Sequence, residues 1–254
     1  MKNAADPTDA SCRRCGTCCQ KGGPALHAQD LHLFEGPGAL SLAMVVTLRP
    51  GELCFDQPRD RVLPLAAELL KLRGATASAD RITGGNGWAC ALLTQPGNAC
   101  ALYERRPAEC RVLSCRDTTA LAAMYETDRL TRADFLPVGH GLLAVMAEHE
   151  ALVPVARIAL LGANLRAGGQ EALDAGDELT RMALADRAFR KGLAERANIG
   201  PEFHEFFLGR DIAALFAVAG LSLRADARTG LRVQADPLSQ PKPSHLPPQP
   251  ENAP

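Results

Sequence analysis

The chain has 254 residues, 46% hydrophobic and 22% charged, a balance that supports an ordinary core in one large domain or two smaller ones. A net charge of −1 without any basic run excludes the electrostatic footprint of a nucleic-acid or anionic-membrane binder. The longest apolar run, "LSLAMVVTL", falls far short of the roughly 20 residues a membrane span needs.

In chain order, "MKNAADPTDASCRR" has no apolar stretch of the kind a secretory leader carries, so the expected compartment is the cytoplasm. Thiols stay reduced there, and dense cysteines point to metal or redox chemistry before disulfides. Residues 12–19 then read "CRRCGTCC". All nine cysteines lie between Cys12 and Cys115, in a part broken by "KGGPALH", "EGPGAL", "LRPGE", "TGGNGWAC" and "TQPGNAC". Short elements fit between these breaks. "HAQDLHLFE" predicts a short helix, "MVVTL" and "LCFD" predict a hairpin around "RPGE", and "PLAAELLKL" predicts a helix.

After Asp117 the texture changes to helical periodicity with few breakers. "TTALAAMYETDRL", "HGLLAVMAEHEALVPVARIALLGANLR" and "GQEALDAGDELTRMALADRAFRKGLAERA" predict long helical segments, the second split at Pro154, which lacks an amide proton. "PEFHEFFLGRDIAALFAVAG" adds further helix, with Pro201 at a first helical position, and "LSLRADARTGLRVQA" predicts a hairpin. The tail "DPLSQPKPSHLPPQPENAP" is polar and Pro-rich and is expected to be disordered.

Eight cysteines form two groups: Cys12, Cys15, Cys18 and Cys19, then Cys90, Cys100, Cys110 and Cys115. C-x2-C-x2-C lets a loop curl three sulfurs around one centre, as in ferredoxin-type iron–sulfur runs, and its C-x2-C halves equally suit tetrahedral zinc. Adjacent side chains diverge, so Cys19 is expected to serve a second centre or a redox role rather than share an ion with Cys18. Cys54 stands outside both groups and reads as a packed free thiol. Six arginines, at positions 13, 14, 105, 106, 111 and 116, flank the clustered cysteines, where guanidinium groups can stabilise thiolate and donate to sulfur. His27 near the first group reads as structural, and His140, His149 and His204 as packed or exposed residues of helices. Trp88 reads as a core residue, "GGNG" as a turn, and Glu104 as a partner for Arg106 across one turn.

With these residues in view, "CRRCGTCC" followed by "CALYERRPAECRVLSC" resembles the YkgJ-type cysteine-cluster family. Tyr103, Glu104, Arg106, Pro107 and Arg111 match that pattern along with the eight cysteines. The resemblance implies chelation of zinc or iron by those cysteines, with Arg106 and Arg111 supporting the site. One branch of the family, the flagellin lysine N-methylases, is associated with an iron–sulfur cluster and S-adenosylmethionine. The expected architecture is a helix-rich α+β protein: a loop-rich cysteine-cluster domain over about 10–118, a helical domain over about 119–235 ending in a small hairpin, and a tail from 236. The expected function is metal binding through thiolates, [4Fe–4S] ahead of Zn²⁺, in one of two classes. The centre supports redox chemistry or methyl transfer to a protein substrate, or zinc is structural and the helical part binds a partner.

Overall fold

A computed structural model gives the structure and describes residues 12–56, 59–74, 89–94, 98–227 and 230–236. The expected roles of Trp88 and "GGNG" and the expected disordered tail lie outside those residues, apart from residue 236.

The fold is helix-rich α+β, and among the described residues the strands form two-stranded antiparallel pairs. "HAQDLHLFE" is helical as expected, as a 3-10 turn over Ala28–Phe34. Strand β1 (Val45–Leu48) and β2 (Leu53–Asp56) follow, but they do not pair with each other. β2 pairs with β3 (Arg61–Pro64), and β1 pairs with β4 (Leu69–Leu72), in register Val45 to Leu72. The expected "MVVTL"/"LCFD" hairpin is therefore replaced by two other pairings.

β4 lies inside the segment expected to be helical. Its two edges explain the difference: β1 occupies one, and Ala25 bridges Lys71 while the Leu26 amide donates to the Leu70 carbonyl on the other. The Arg132 amide and guanidinium also grip Glu68 just before the strand. Tertiary partners of this kind override the helical preference of Ala, Leu, Glu and Lys.

A small pair, β5 (Leu93–Thr94) with β6 (Ala99–Cys100), precedes the short helix α1 (Ala108–Val112). Helix α2 (Thr119–Met124) opens the helical part. α3 (Gly141–Leu152) and α4 (Ile158–Ala167) are separated at Pro154, as its missing donor requires. α5 (Gly169–Arg196) is the longest helix, and its buried residues Ala175, Leu179, Met182, Ala183, Asp186 and Leu193 recur on one face. α6 (His204–Leu208) and α7 (Ile212–Val218) lead to the C-terminal hairpin, β7 (Leu221–Arg224) with β8 (Arg232–Ala235).

Two cores result. One joins Leu26, Leu33, Val45, Leu70 and Leu72 to Met146, Leu193 and Phe206–Leu208, so it draws on both the cysteine-bearing and the helical segments. Phe206 is fully buried, meets Phe135 and Phe207 edge to face, and offers its carbonyl to the Thr47 hydroxyl at 2.6 Å. The other core, around Leu161, Leu179, Met182, Phe216, Leu221 and Val233, belongs to the helical segment and its hairpin.

Candidate metal centre

The first cysteine group rides on a curled loop. Arg14 and Gly16 both take left-handed backbone conformations, with φ of 54° and 75°. The loop closes into a 3-10 turn over Cys19–Lys21, where the Gln20 amide donates to the Gly16 carbonyl at 2.9 Å. Glycine is needed at 16 for a second reason: a Cβ there would stand 2.7 Å from the Cβ of Asn98, just before β6. The loop is thus pressed against the segment that carries the second group.

Backbone contacts fix that clasp. The Cys90 amide donates to the Cys19 carbonyl at 2.7 Å, and Cys90 forms a bridge with Gly74. The Leu93 amide returns to the Cys90 carbonyl, and Leu93 pairs with Cys100 across β5–β6. At the outer side the Tyr103 hydroxyl donates to the Cys12 carbonyl at 3.3 Å. Cys110 sits on α1, whose first amide, Ala108 N–H, donates to the buried Asp30 carboxylate at 2.8 Å. Glu109 of the same helix accepts from the Ala25 amide at 2.8 Å and lies 3.5 Å from the buried His27. His27 is buried, and its Nδ1 lies 2.8 Å from the Thr127 carbonyl oxygen. Cys115 follows in an exposed turn beside Ser114.

The thiols differ in surroundings. Cys15 is exposed, and the Thr17 hydroxyl 3.3 Å away holds its thiol below the ordinary value of 9.0. The Cys12 sulfur accepts the Arg14 amide at 3.4 Å. Burial pushes the Cys18 thiol up, and charge on Cys115, Cys12 and Cys15 adds to this. Burial, then Cys18, Cys90, Cys100 and Cys12, pushes Cys19 up to about 11. Cys90 is raised by burial, lowered by the Leu92 amide and raised again by Cys100. Cys110 is raised by burial and then by Cys90, Cys19 and Cys100. Burial and mutual repulsion thus both disfavour free thiolate charge at these sulfurs.

The arginines brace this arrangement. Arg14 and Arg106 lie over the Tyr103 ring at 3.6 and 4.0 Å, a double cation–π contact. Glu104 pairs with Arg14 at 3.6 Å on the surface, in place of the expected pairing with Arg106. Arg111 donates to the Arg106 carbonyl at 2.6 Å and to Gln29 at 3.1 Å. The Arg106 Nε is buried without a hydrogen-bond partner, an open donor of the kind an anionic sulfur satisfies.

Among the described residues, no three His, Cys, Asp or Glu side chains already stand together as a metal site. The donor set still fits a thiophilic cation chemically: thiols from two distant segments are clasped by backbone hydrogen bonds, and their surroundings disfavour free thiolate charge. Zinc or an iron–sulfur centre would be held by those cysteines. Cys54 lies apart on β2, 3.9 Å from an Arg210 nitrogen and 4.0 Å from a Glu52 oxygen, its thiol pushed up to about 11 chiefly by burial.

One polar cluster escapes the sequence reading. Arg49, 1% exposed, donates toward His149 Nδ1 at 3.4 Å and to the Val153 carbonyl at 3.2 Å, while its Nε and second terminal nitrogen have no hydrogen-bond partner. His149 Nε2 donates to Asp186 at 2.9 Å, and Arg190 holds the other Asp186 oxygen at 2.8 Å. Burial lowers the Arg49 pKa to about 10. Burial also keeps His149 neutral, lowering its pKa against the opposing Asp186 hydrogen bond. For Asp186 burial acts upward, but bonds from His149 and Arg190 outweigh it and leave the carboxyl below its ordinary value. The residues lie about 100 positions apart, so no local spacing announces them.

Residues 11–127 match the model of a family described as "CxxCxxCC: Putative zinc- or iron-chelating domain". No curated protein and no solved structure matches the chain.

Proposed function

We propose, on the premise that residues 11–127 belong to the CxxCxxCC family of zinc- or iron-chelating domains, that the chain carries an iron–sulfur centre held by its clustered thiolates. The observation that carries this reading is the clasp of the 12–19 loop onto residues 90–110, with the Cys19 carbonyl bound by the Cys90 amide. Two features support iron–sulfur ahead of zinc. Arg14 and Gly16 curl the C-x2-C-x2-C loop, and the Arg14 amide donates to the Cys12 sulfur, as donors around iron–sulfur clusters commonly do. Cys12, Cys15, Cys18, Cys19, Cys90, Cys100, Cys110 and Cys115 are the proposed ligands, and Arg106 and Arg111 brace the Tyr103 ring and the entry to α1 beside them.

Such a centre, when bound, supplies electron transfer, or methyl transfer with S-adenosylmethionine. This chain's own contribution is to clasp the two thiol-bearing segments together, with the Thr17 hydroxyl and then the charge of Arg13 favouring thiolate at Cys15. Anaerobic purification followed by iron, zinc and acid-labile sulfide analysis tests the reading. Iron with matching sulfide is expected, and a chain that takes up neither iron nor zinc refutes metal binding.

A second reading, structural zinc with a helical part that binds a protein partner, is favoured by Leu152, Leu160 and Leu173. These leucines of α3, α4 and α5 are 52–65% exposed, apolar side chains that a partner could cover. Zinc without sulfide in the same analysis selects it.

A further inference from the structure

We infer that the eight clustered cysteines divide into two four-thiol centres: an inner one of Cys19, Cys90, Cys100 and Cys110 that holds the fold, and an outer one of Cys12, Cys15, Cys18 and Cys115 that exchanges its metal. The inference rests on the metal-binding reading above and assigns the ligands within it.

Neighbourhood is the first ground. Cys18 lies within electrostatic reach of Cys115, Cys12 and Cys15, whereas Cys110 lies within reach of Cys90, Cys19 and Cys100. These two sets share no member, and Cys19, which also lies near Cys18 and Cys12, stands at the seam between them. Backbone geometry follows the same line: Cys19 is tied to Cys90, and Cys100 pairs with Leu93, whose amide bonds the Cys90 carbonyl. Cys12 is tied instead to Tyr103, at the outer edge between Arg14 and Arg106.

Packing is the second ground. Cys90 is 6% exposed and belongs to the core with Leu26 and Leu72, and Cys19 and Cys100 pack against that same core. Cys15 and Cys115 are exposed. A metal on the inner sulfurs would be walled by apolar side chains, and one on the outer sulfurs would face solvent on one side. The Cys18–Cys19 peptide separates the sets, which resolves how two adjacent thiols are both used: each serves a different cation. Four thiolates complete a tetrahedral zinc shell or a cluster's ligand set, so each group is sufficient for one centre. On loading, each bound thiol gives its proton to solvent as its sulfur takes the cation.

The full chain reconstituted with zinc under reducing conditions provides the test. About two zinc equivalents per chain are expected, with chelator removing about one quickly and the other slowly. Cys15→Ser and Cys115→Ser, and the two combined, should each abolish the fast phase and leave the slow one. Cys15→Ser combined with Cys100→Ser should lose both. Because inner variants could fail to fold, peptide mapping of wild type after brief chelation supplies an independent reading. Cys12, Cys15, Cys18 and Cys115 should be alkylated as a set while Cys19, Cys90, Cys100 and Cys110 stay protected. A single zinc equivalent, or loss of all metal in Cys115→Ser, overturns the division while leaving metal binding intact. A wild-type chain that takes up neither zinc in this reconstitution nor iron on anaerobic purification overturns both.

Discussion

The cysteine-bearing segment and the helical segment solve the same problem by different means. Residues 119–236 pack helices and a hairpin around their own core of Leu161, Leu179, Met182 and Phe216. Among the described residues, positions 12–116 have short strands, 3-10 turns and one five-residue helix, and their apolar residues share a core with Met146, Leu193 and Phe206–Leu208 of the other segment. Regular structure that closes its own core needs no help, whereas loops rich in Gly and Pro lean on a neighbour. The lesson is that local hydrogen bonding and tertiary support trade against each other along one chain.

The largest expected effect comes from the shared core. Phe206→Ala removes a fully buried ring and should cost about 3–5 kcal/mol. Although the substitution lies in the helical segment, it should also speed alkylation of Cys90 and Cys100 in the metal-free chain. Denaturant unfolding followed both by circular dichroism and by thiol labelling checks this. Unchanged labelling would mean that the cysteine-bearing segment stands by itself.

Next is the polar tie between the segments. Asp186→Ala strips the buried His149 and the half-buried Arg190 of their shared carboxylate and leaves the buried Arg49 without its compensating charge, at a cost of roughly 3 kcal/mol. The same network gives an acid limb. His149 resists protonation in the fold, so stability is full above its ordinary value of 6.5 and falls as pH drops below it. Asp186 is held below 3.8, so its share persists to lower pH and is lost on acidification through and beneath that value. Each group contributes a slope of at most about 1.4 kcal/mol per pH unit. Urea midpoints of the metal-free chain between pH 8 and pH 4 should show the decline, and His149→Gln should flatten its upper part.

A smaller effect, confined to the cysteine-bearing side, is expected of Gly16→Ala. The left-handed backbone costs about 1–2 kcal/mol for a residue with a Cβ, and Asn98 must move as well. Metal affinity measured by chelator competition should weaken by about tenfold, with thermal stability of the helical segment unchanged. The smallest effect is that of Cys54→Ser: this thiol keeps company with Glu52 and Arg210, and metal content should stay at the wild-type level. Loss of metal in that variant would redraw the ligand set.

Much of this was legible in the sequence where the cause is local. The split at Pro154, the long helix beginning at Gly169, Pro201 opening a helical turn and the terminal hairpin all follow from nearby residues. The crowding of cysteines and their division from the helical segment were equally plain. Strand partners were not, because β1 chooses β4 over β2 through contacts with Ala25, Leu26 and Arg132 that no window of sequence contains. The same holds for the thiols. Spacing groups Cys12 with Cys19 and Cys90 with Cys115, while the fold ties the Cys19 carbonyl to the Cys90 amide and lets the charge of Cys115 reach Cys18. Arg49 and His149 are individually unremarkable letters until the chain folds them together.

The fully buried Arg49 guanidinium also bears on inheritance. It grows from the end of β1, inside the stretch that matches the chelating family, yet its neighbours are His149 and Val153, beyond the last matched residue. A recombination event that carried off residues 11–127 alone would expose that cation, together with the Val45 and Leu70 surfaces, to water. The portable unit of sequence and the portable unit of folding therefore differ in this chain. A transplanted cysteine module would need a new host able to swallow an arginine.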